Sequence, residues 1–488
     1  MLQIRNFLRN ISVLAGLCLL ISISAQAASL TVNTTADSGA GSLRQALIDA
    51  TVNAEANIVT FNIPMSDPGY DAGQDRFTIT LLSALPNIPL ATMTINNPQS
   101  QGLTVKGNNT FRIFTLVDSA VTTINNVTIS DGFSSDGMGG GIYMSNSGTL
   151  TLNRCTVSGN TVTTSGGGIY MSNSTTLHLH YSTVRSNSAA SGGGIYIFNS
   201  GTLNMIGSTV NGNAATDGGG IYNGTSGTVN TTSSTIDGNS ASSEGGGIYN
   251  TATVTAINNT FSANSAEVGG AIYNAFTATL INNIVATNVA TSGTDLFGTY
   301  AGTWNLIGNI DGSTGVTGAP NRTGTTLSPL NPMLGLLQNN GGPTFTRSPL
   351  MGSPAIDKGN SATVVTDQHG ASMPVDNPLI SNDGGNGADM GSVEVQFTTT
   401  AAGITVGGRV FVDHGRTRQP LSNATVTLTD MDGVSRTTRT GSFGYFRFAD
   451  VQAGETYIVT IKSKRYQFGS QVITPMDQLT EMEFVYYY

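Results

Sequence analysis

The pentapeptide GGGIY, or a near variant of it, returns along the chain with its isoleucine at 142, 169, 195, 221, 248 and 272, in steps of 27, 26, 26, 27 and 24 residues. A second motif runs in phase, from CTVSGN ending at Asn160, through STVRSN at Asn187, STVNGN at Asn213, STIDGN at Asn239 and NTFSAN at Asn264, to NIVATN at Asn288. Between them lies a third alternating run, such as Thr149-Leu150-Thr151-Leu152 and Thr176-Leu177-His178-Leu179. Each run is too short for a helix, and alternation sends Ile, Leu and Val to one side of a pleat. A lone repeat cannot bury that side. Repeats stacked about 4.8 Å apart share one core and pair each backbone with the coils above and below. The pattern therefore predicts a three-sided parallel β-helix, one turn per repeat, with Gly and Asn at the corners for positive φ and side-chain ladders. A leucine-rich repeat of similar length would need an LxxLxLxxN consensus, and none is present.

Composition narrows the function. Only 10% of the 488 residues are charged, against about 25% in typical soluble domains, so coiled coils and helical bundles are excluded. A net charge of −9 without a basic run argues against a nucleic-acid partner, because phosphate binding relies on clustered Lys and Arg. Residues 1–27 read as a cleaved signal peptide: Arg5 and Arg9, an apolar run from Ile11 to Ile23, then Ala25-Gln26-Ala27. Cleavage before Ala28 removes Cys18 and leaves only Cys155, so no intrachain disulfide is expected. No membrane span is expected in the mature chain. The expected location is secreted, extracellular or at the cell surface.

Five segments follow: the signal peptide 1–27; an N-terminal cap with first coils, 28–100; the repeats, 101–310; a C-terminal β-helix cap, 311–398; and a small β-sandwich, 399–488. The cap holds a predicted amphipathic helix with Leu43, Ala46, Leu47 and Ala50 on one side. Looser coils are read at Leu103-Thr104-Val105 and Phe111-Arg112-Ile113. From Ile404 onward about seven short alternating runs fit a sandwich.

The repeats resemble right-handed parallel β-helix proteins of the pectate-lyase-like type, and the GGGIY coils look like those of bacterial polymorphic outer-membrane proteins. Gly41-Ser42-Leu43-Arg44-Gln45-Ala46 is similar to the CSLREA-type N-terminal region of bacterial surface β-helix proteins. NLIGN (305–309), the run from Asn331 to Gly359, DQHG (367–370) and GADMGSVE (387–394) look like a choice-of-anchor Q domain, which implies closure of the β-helix. Gly408-Arg409-Val410, Pro420 to Val426, Gly444 to Phe448 and Gly454 to Tyr457 resemble the carboxypeptidase regulatory-like domain. That transthyretin-like module implies a spacer or adhesion unit without a protease site. The fold class is thus all-β: a right-handed three-sided parallel β-helix with an N-terminal capping helix, then a small transthyretin-like sandwich.

Chemistry is sparse. Between residues 133 and 290 the acids are Asp136, Asp217, Asp237, Glu244 and Glu267, and the bases Arg154 and Arg185. A lyase on this fold would be expected to gather acidic Ca2+ ligands and a base on one face. Asp217 and Glu244 each precede a triple glycine 27 residues apart, so stacking sets them about 5 Å apart, a spacing for a retaining glycosidase pair or a Ca2+ site. The plainer alternative is two solvated turn residues, so they stand only as weak catalytic candidates. His178 and His180 point outward on one strand as a metal pair could, but adjacent coils offer only Thr151, Asn204, Asn153 and Ile206 as partners; no metal or other cofactor is expected, with Ca2+ at Asp217 and Glu244 as the one weak alternative. Asp367 and His369 are expected to hold a loop. The stronger feature is the tyrosine column Tyr143, Tyr170, Tyr196, Tyr222, Tyr249 and Tyr273, an outward ladder suited to sugar rings, or alternatively one that stabilises the stack. Regular threonine spacing raises ice binding, although Thr-x-Thr does not recur in every coil. The resulting expectation is an exported, non-catalytic surface or matrix protein for adhesion or glycan binding. The alternative is a polysaccharide lyase or glycoside hydrolase of the pectate-lyase-like class.

Overall fold

The computed structural model describes residues 28–52, 56–88, 92–377, 380–396, 403–415, 417–431, 433–475 and 477–487; the expected signal peptide lies outside the described residues. The repeats wind into a solenoid of three sheets, here A with eleven strands, B with twelve and C with nine. One coil supplies Ile169–Met171 to sheet C, Thr176–His180 to sheet A and Thr183–Arg185 to sheet B. Like residues stack on like: Ile169 on Ile195, Leu177 on Leu203, Val184 on Val210. Their side chains are fully buried and belong to one core running from Val32 to Val316.

The corners explain the Gly and Asn. The first glycine of each triple, such as Gly192 with φ +61°, is left-handed. A Cβ on the third, Gly194, would stand 2.6 Å from the Gly220 carbonyl of the next coil. At the end of sheet B, Asn160, Asn187, Asn213, Asn239 and Asn264 each donate Nδ2–H to the next asparagine's Oδ1 at 2.9 Å. Each buried amide thus has donors and acceptor satisfied where water cannot reach. The ladder ends on Asp295, which accepts from Asn288 Nδ2 at 2.8 Å and from the Asn309 amide at 2.6 Å.

At the N-terminal end the helix Leu43–Val52 buries Leu43, Ala46, Leu47 and Ala50. The strand Ala28–Val32 already pairs in parallel with Asn57–Phe61, so sheet A starts inside the cap segment. The strand expected at 111–113 falls instead at Phe114–Leu116, where Phe114 and Leu116 face inward. Coils continue past 310, to Arg322–Thr323.

The first residues of the segment expected to close the solenoid extend its core and sheets, through Val316 and Arg322–Thr323, and the later part lies along its side. Residues 344–377 and 380–396 form a strap over the outward face of sheet B. Thr209 donates to the Phe345 carbonyl at 2.7 Å, Thr235 to Gln368 Oε1 at 2.6 Å, and Ser392 donates its amide to Thr260 at 3.1 Å. Arg347 pairs with Asp237 at 2.5 Å, and Ile284, Ala286 and Leu306 pack on Ala355 and Met390. The physical reason is visible in the outward residues: earlier coils carry exposed Arg185, later ones carry Ile284 and Ala286, which need cover.

The C-terminal unit has two four-stranded sheets, eight strands where about seven were expected. Ile404–Asp413 pairs antiparallel with Arg418–Pro420 and Tyr445–Val451, and in parallel with Leu479–Tyr487. Val406, Val426, Phe446, Val459 and Phe484 form the core between the sheets. Among the described residues no helix is long and apolar enough to cross a membrane.

Candidate functional site

From Phe114–Leu116 to Ile272–Asn274 the strands of sheet C have three residues, the outer two facing inward, so their middle residue faces out. That position holds the tyrosines in direct register. Neighbouring ring centroids lie 4.6 Å apart at Tyr222 and Tyr249 and 5.3 Å apart at Tyr143 and Tyr170. The planes stay within 23° of parallel. The rings therefore cover one another's faces, and the column turns its edges and hydroxyls to solvent. Tyr170 is only 7% exposed, the others more. Phe297 extends the column at 5.4 Å from Tyr273. Sequence reading missed it because its coil has lost the glycine triple; the signal was its spacing, one coil length after Tyr273. At the other end the Arg112 guanidinium sits 4.8 Å over Tyr143, fixed by Asp136 and by the Gly139 carbonyl at 2.9 Å. Burial, then the fields of neighbouring phenols, pushes Tyr170 up to about 12; burial, then Tyr222, does the same for Tyr249. These phenols stay neutral and can donate.

Asp217 and Glu244 stand in adjacent coils of one corner column, between Ser191 and Val268. The Glu244 amide donates to Asp217 Oδ1 at 3.3 Å. Burial, then the Asp217 charge, raises the Glu244 carboxyl above its ordinary value. Both carboxylates also act on Tyr222 and Tyr249, and Glu244 on Tyr273, raising those phenols beyond the effect of burial. The structure thus joins two features that the sequence presents separately. Neither acid forms an ion pair among the described residues, and no group of three potential metal ligands is found among them.

His178 and His180 lie on the outward face of sheet A, their ring centroids 6.0 Å apart. Their register neighbours are Thr151 and Asn204, and Asn153 and Ile206. Burial, then His178, holds His180 below its usual value. His369 bonds Thr346 through Nε2 at 2.8 Å, and Asp367 accepts the His369 and Ala371 amides at 2.9 and 2.8 Å. Both residues hold the strap. They do so with three further buried acids. Asp389 accepts the Asp357 and Val395 amides, Glu394 the Val375 and Asp389 amides, and Asp357 that of Asn377.

Three family models match parts of the chain. One described as a right-handed β-helix region covers residues 91–235. A carboxypeptidase regulatory-like domain covers 405–485, and a Chlamydia polymorphic membrane protein repeat covers 233–251. No curated protein matches.

Proposed function

We propose that this chain is an exported, non-catalytic β-helix protein of a bacterial surface or matrix that binds glycans along its tyrosine column. The observation that carries this reading is the unbroken row of phenol hydroxyls on sheet C beside Asp217 and Glu244. Because the ring faces are taken by stacking, a sugar meets hydroxyl edges, and its contacts are hydrogen bonds rather than flat stacking. The likeness of residues 233–251 to a polymorphic membrane protein repeat supports a surface location. The signal-peptide reading of 1–27 and the CSLREA-type and choice-of-anchor resemblances point the same way.

The test is a glycan array with the Tyr196→Phe/Tyr222→Phe protein, which keeps the stack and removes two hydroxyls. Binding should fall; unchanged binding would remove the column as the site. A second reading, a polysaccharide lyase or glycoside hydrolase, rests on the raised Glu244 carboxyl beside Asp217. Sugar release from a polysaccharide panel, abolished by Asp217→Asn, would establish it in place of the first.

A further inference from the structure

Sheet A presents a second open face, and no charge stands on it. Eight consecutive strands, from Thr92–Asn96 to Thr277–Ile281, have three outward positions each, and none holds Asp, Glu, Lys or Arg. Each of these outward side chains is at least partly open to solvent. The first outward column is threonine in six successive coils: Thr149, Thr176, Thr202, Thr228, Thr253 and Thr277. Within the described chain their hydroxyls bond no other group. The second column continues the polar array with His178, Asn204 and Asn230 at its centre, and Asn230 donates to Asn204 at 3.0 Å. Strand spacing and rise make this a rigid surface about 34 Å long and about 13 Å wide.

We propose that this face is a docking surface for an uncharged, ordered polysaccharide, independent of the tyrosine column. Three physical points select that partner. A charged polymer would gain no ion pair here while losing hydration at the contact. Threonine offers a methyl and a hydroxyl at every coil, which suits sugar rings with apolar CH faces and equatorial hydroxyls. The array is fixed by the coil stack, so repeated contacts need little further ordering of the protein. Ice would need one height across the face, and the longer side chains of His178, Asn204 and Asn230 interrupt it.

The test is co-sedimentation of the purified protein with microcrystalline cellulose, chitin and calcium pectate gel. The wild type should be retained on at least one neutral polymer and not on pectate. Thr228→Glu and Thr228→Lys each place one charge on an outward position within the threonine column, and each should weaken retention at least about tenfold. Thr228→Val preserves the branched shape and, with matched melting curves, controls for folding. Retention that survives both Thr228 charges but falls in the Tyr196→Phe/Tyr222→Phe protein would move the contact to the tyrosine column. The proposal is overturned if no neutral polymer retains the wild type, or if both charged variants bind undiminished. Inhibition of ice recrystallisation, or self-association through this face, without polymer retention would equally overturn it.

Discussion

At the scale of single residues, the molecule depends on groups that must both give and receive. Asn213 donates to the Val184 carbonyl at 3.0 Å and to Asn239 at 2.9 Å, while accepting from the Asn187 amide at 3.0 Å. Asn213→Leu should cost about 2–4 kcal/mol, because it leaves the buried Asn187 amide without an acceptor; the melting temperature measures this. Asp is suited only to the ladder's end. Asp295 meets donors alone, whereas Asn213→Asp would set a carboxylate against the Val184 carbonyl and Asn239 Oδ1. That variant should melt below Asn213→Leu at pH 8. Gly194→Ala should also destabilise, since its Cβ would stand 2.6 Å from a backbone oxygen that the stack holds in place.

At the scale of elements, the strap behaves differently from the coils. Its buried carboxyls titrate high: burial, opposed by backbone amides, raises Asp389 well above the ordinary carboxyl value, and burial, then the Asp389 charge, raises Glu394. A carboxyl raised on folding stabilises fully below its unfolded value near 4, and that contribution is lost as pH rises through the folded value. The strap should therefore hold best in acid and loosen progressively as pH rises from about 4 into the alkaline range. Hydrogen exchange at 344–396 should accelerate over that range, more than exchange in the strands around Leu177 and Leu203. Equal protection at pH 5 and pH 9 would contradict the assignment. The coil elements were legible from alternation because each needs only its neighbours. The strap carries no such period, and its partners are distant: Gln368 reaches Ser208 across 160 residues and Ser392 reaches Thr235 across 157.

At the scale of the whole molecule, stability is close to a sum of coils and coil–coil interfaces. Removing residues 142–168, one full coil outside the strap, keeps every column in phase and joins the glycine triple 139–141 to Ile169. The shortened protein should keep its β spectrum and melt cooperatively, at a modestly lower temperature. Removing about half a coil should abolish folding, because each inward residue would then face a corner. Circular dichroism and thermal melting separate the two. The candidate site also belongs to this scale, since the nearness of Asp217 and Glu244 to Tyr222 and Tyr249 arises from the path of the corner as well as from the period.

The period of 24 to 27 residues was enough to determine the solenoid, its inward columns, the outward tyrosines and the pairing of Asp217 with Glu244. All of these are contacts between equivalent positions one coil apart, and a repeat writes such contacts into the sequence many times. Only the tertiary structure decided that the tyrosine rings spend their faces on one another, and that the strap covers sheet B rather than the open end. It alone showed that sheet A stays bare and uncharged across eight strands. Those outcomes depend on which outward surface is buried by a distant, unrepeated segment, and a pattern of local alternation carries no record of that choice.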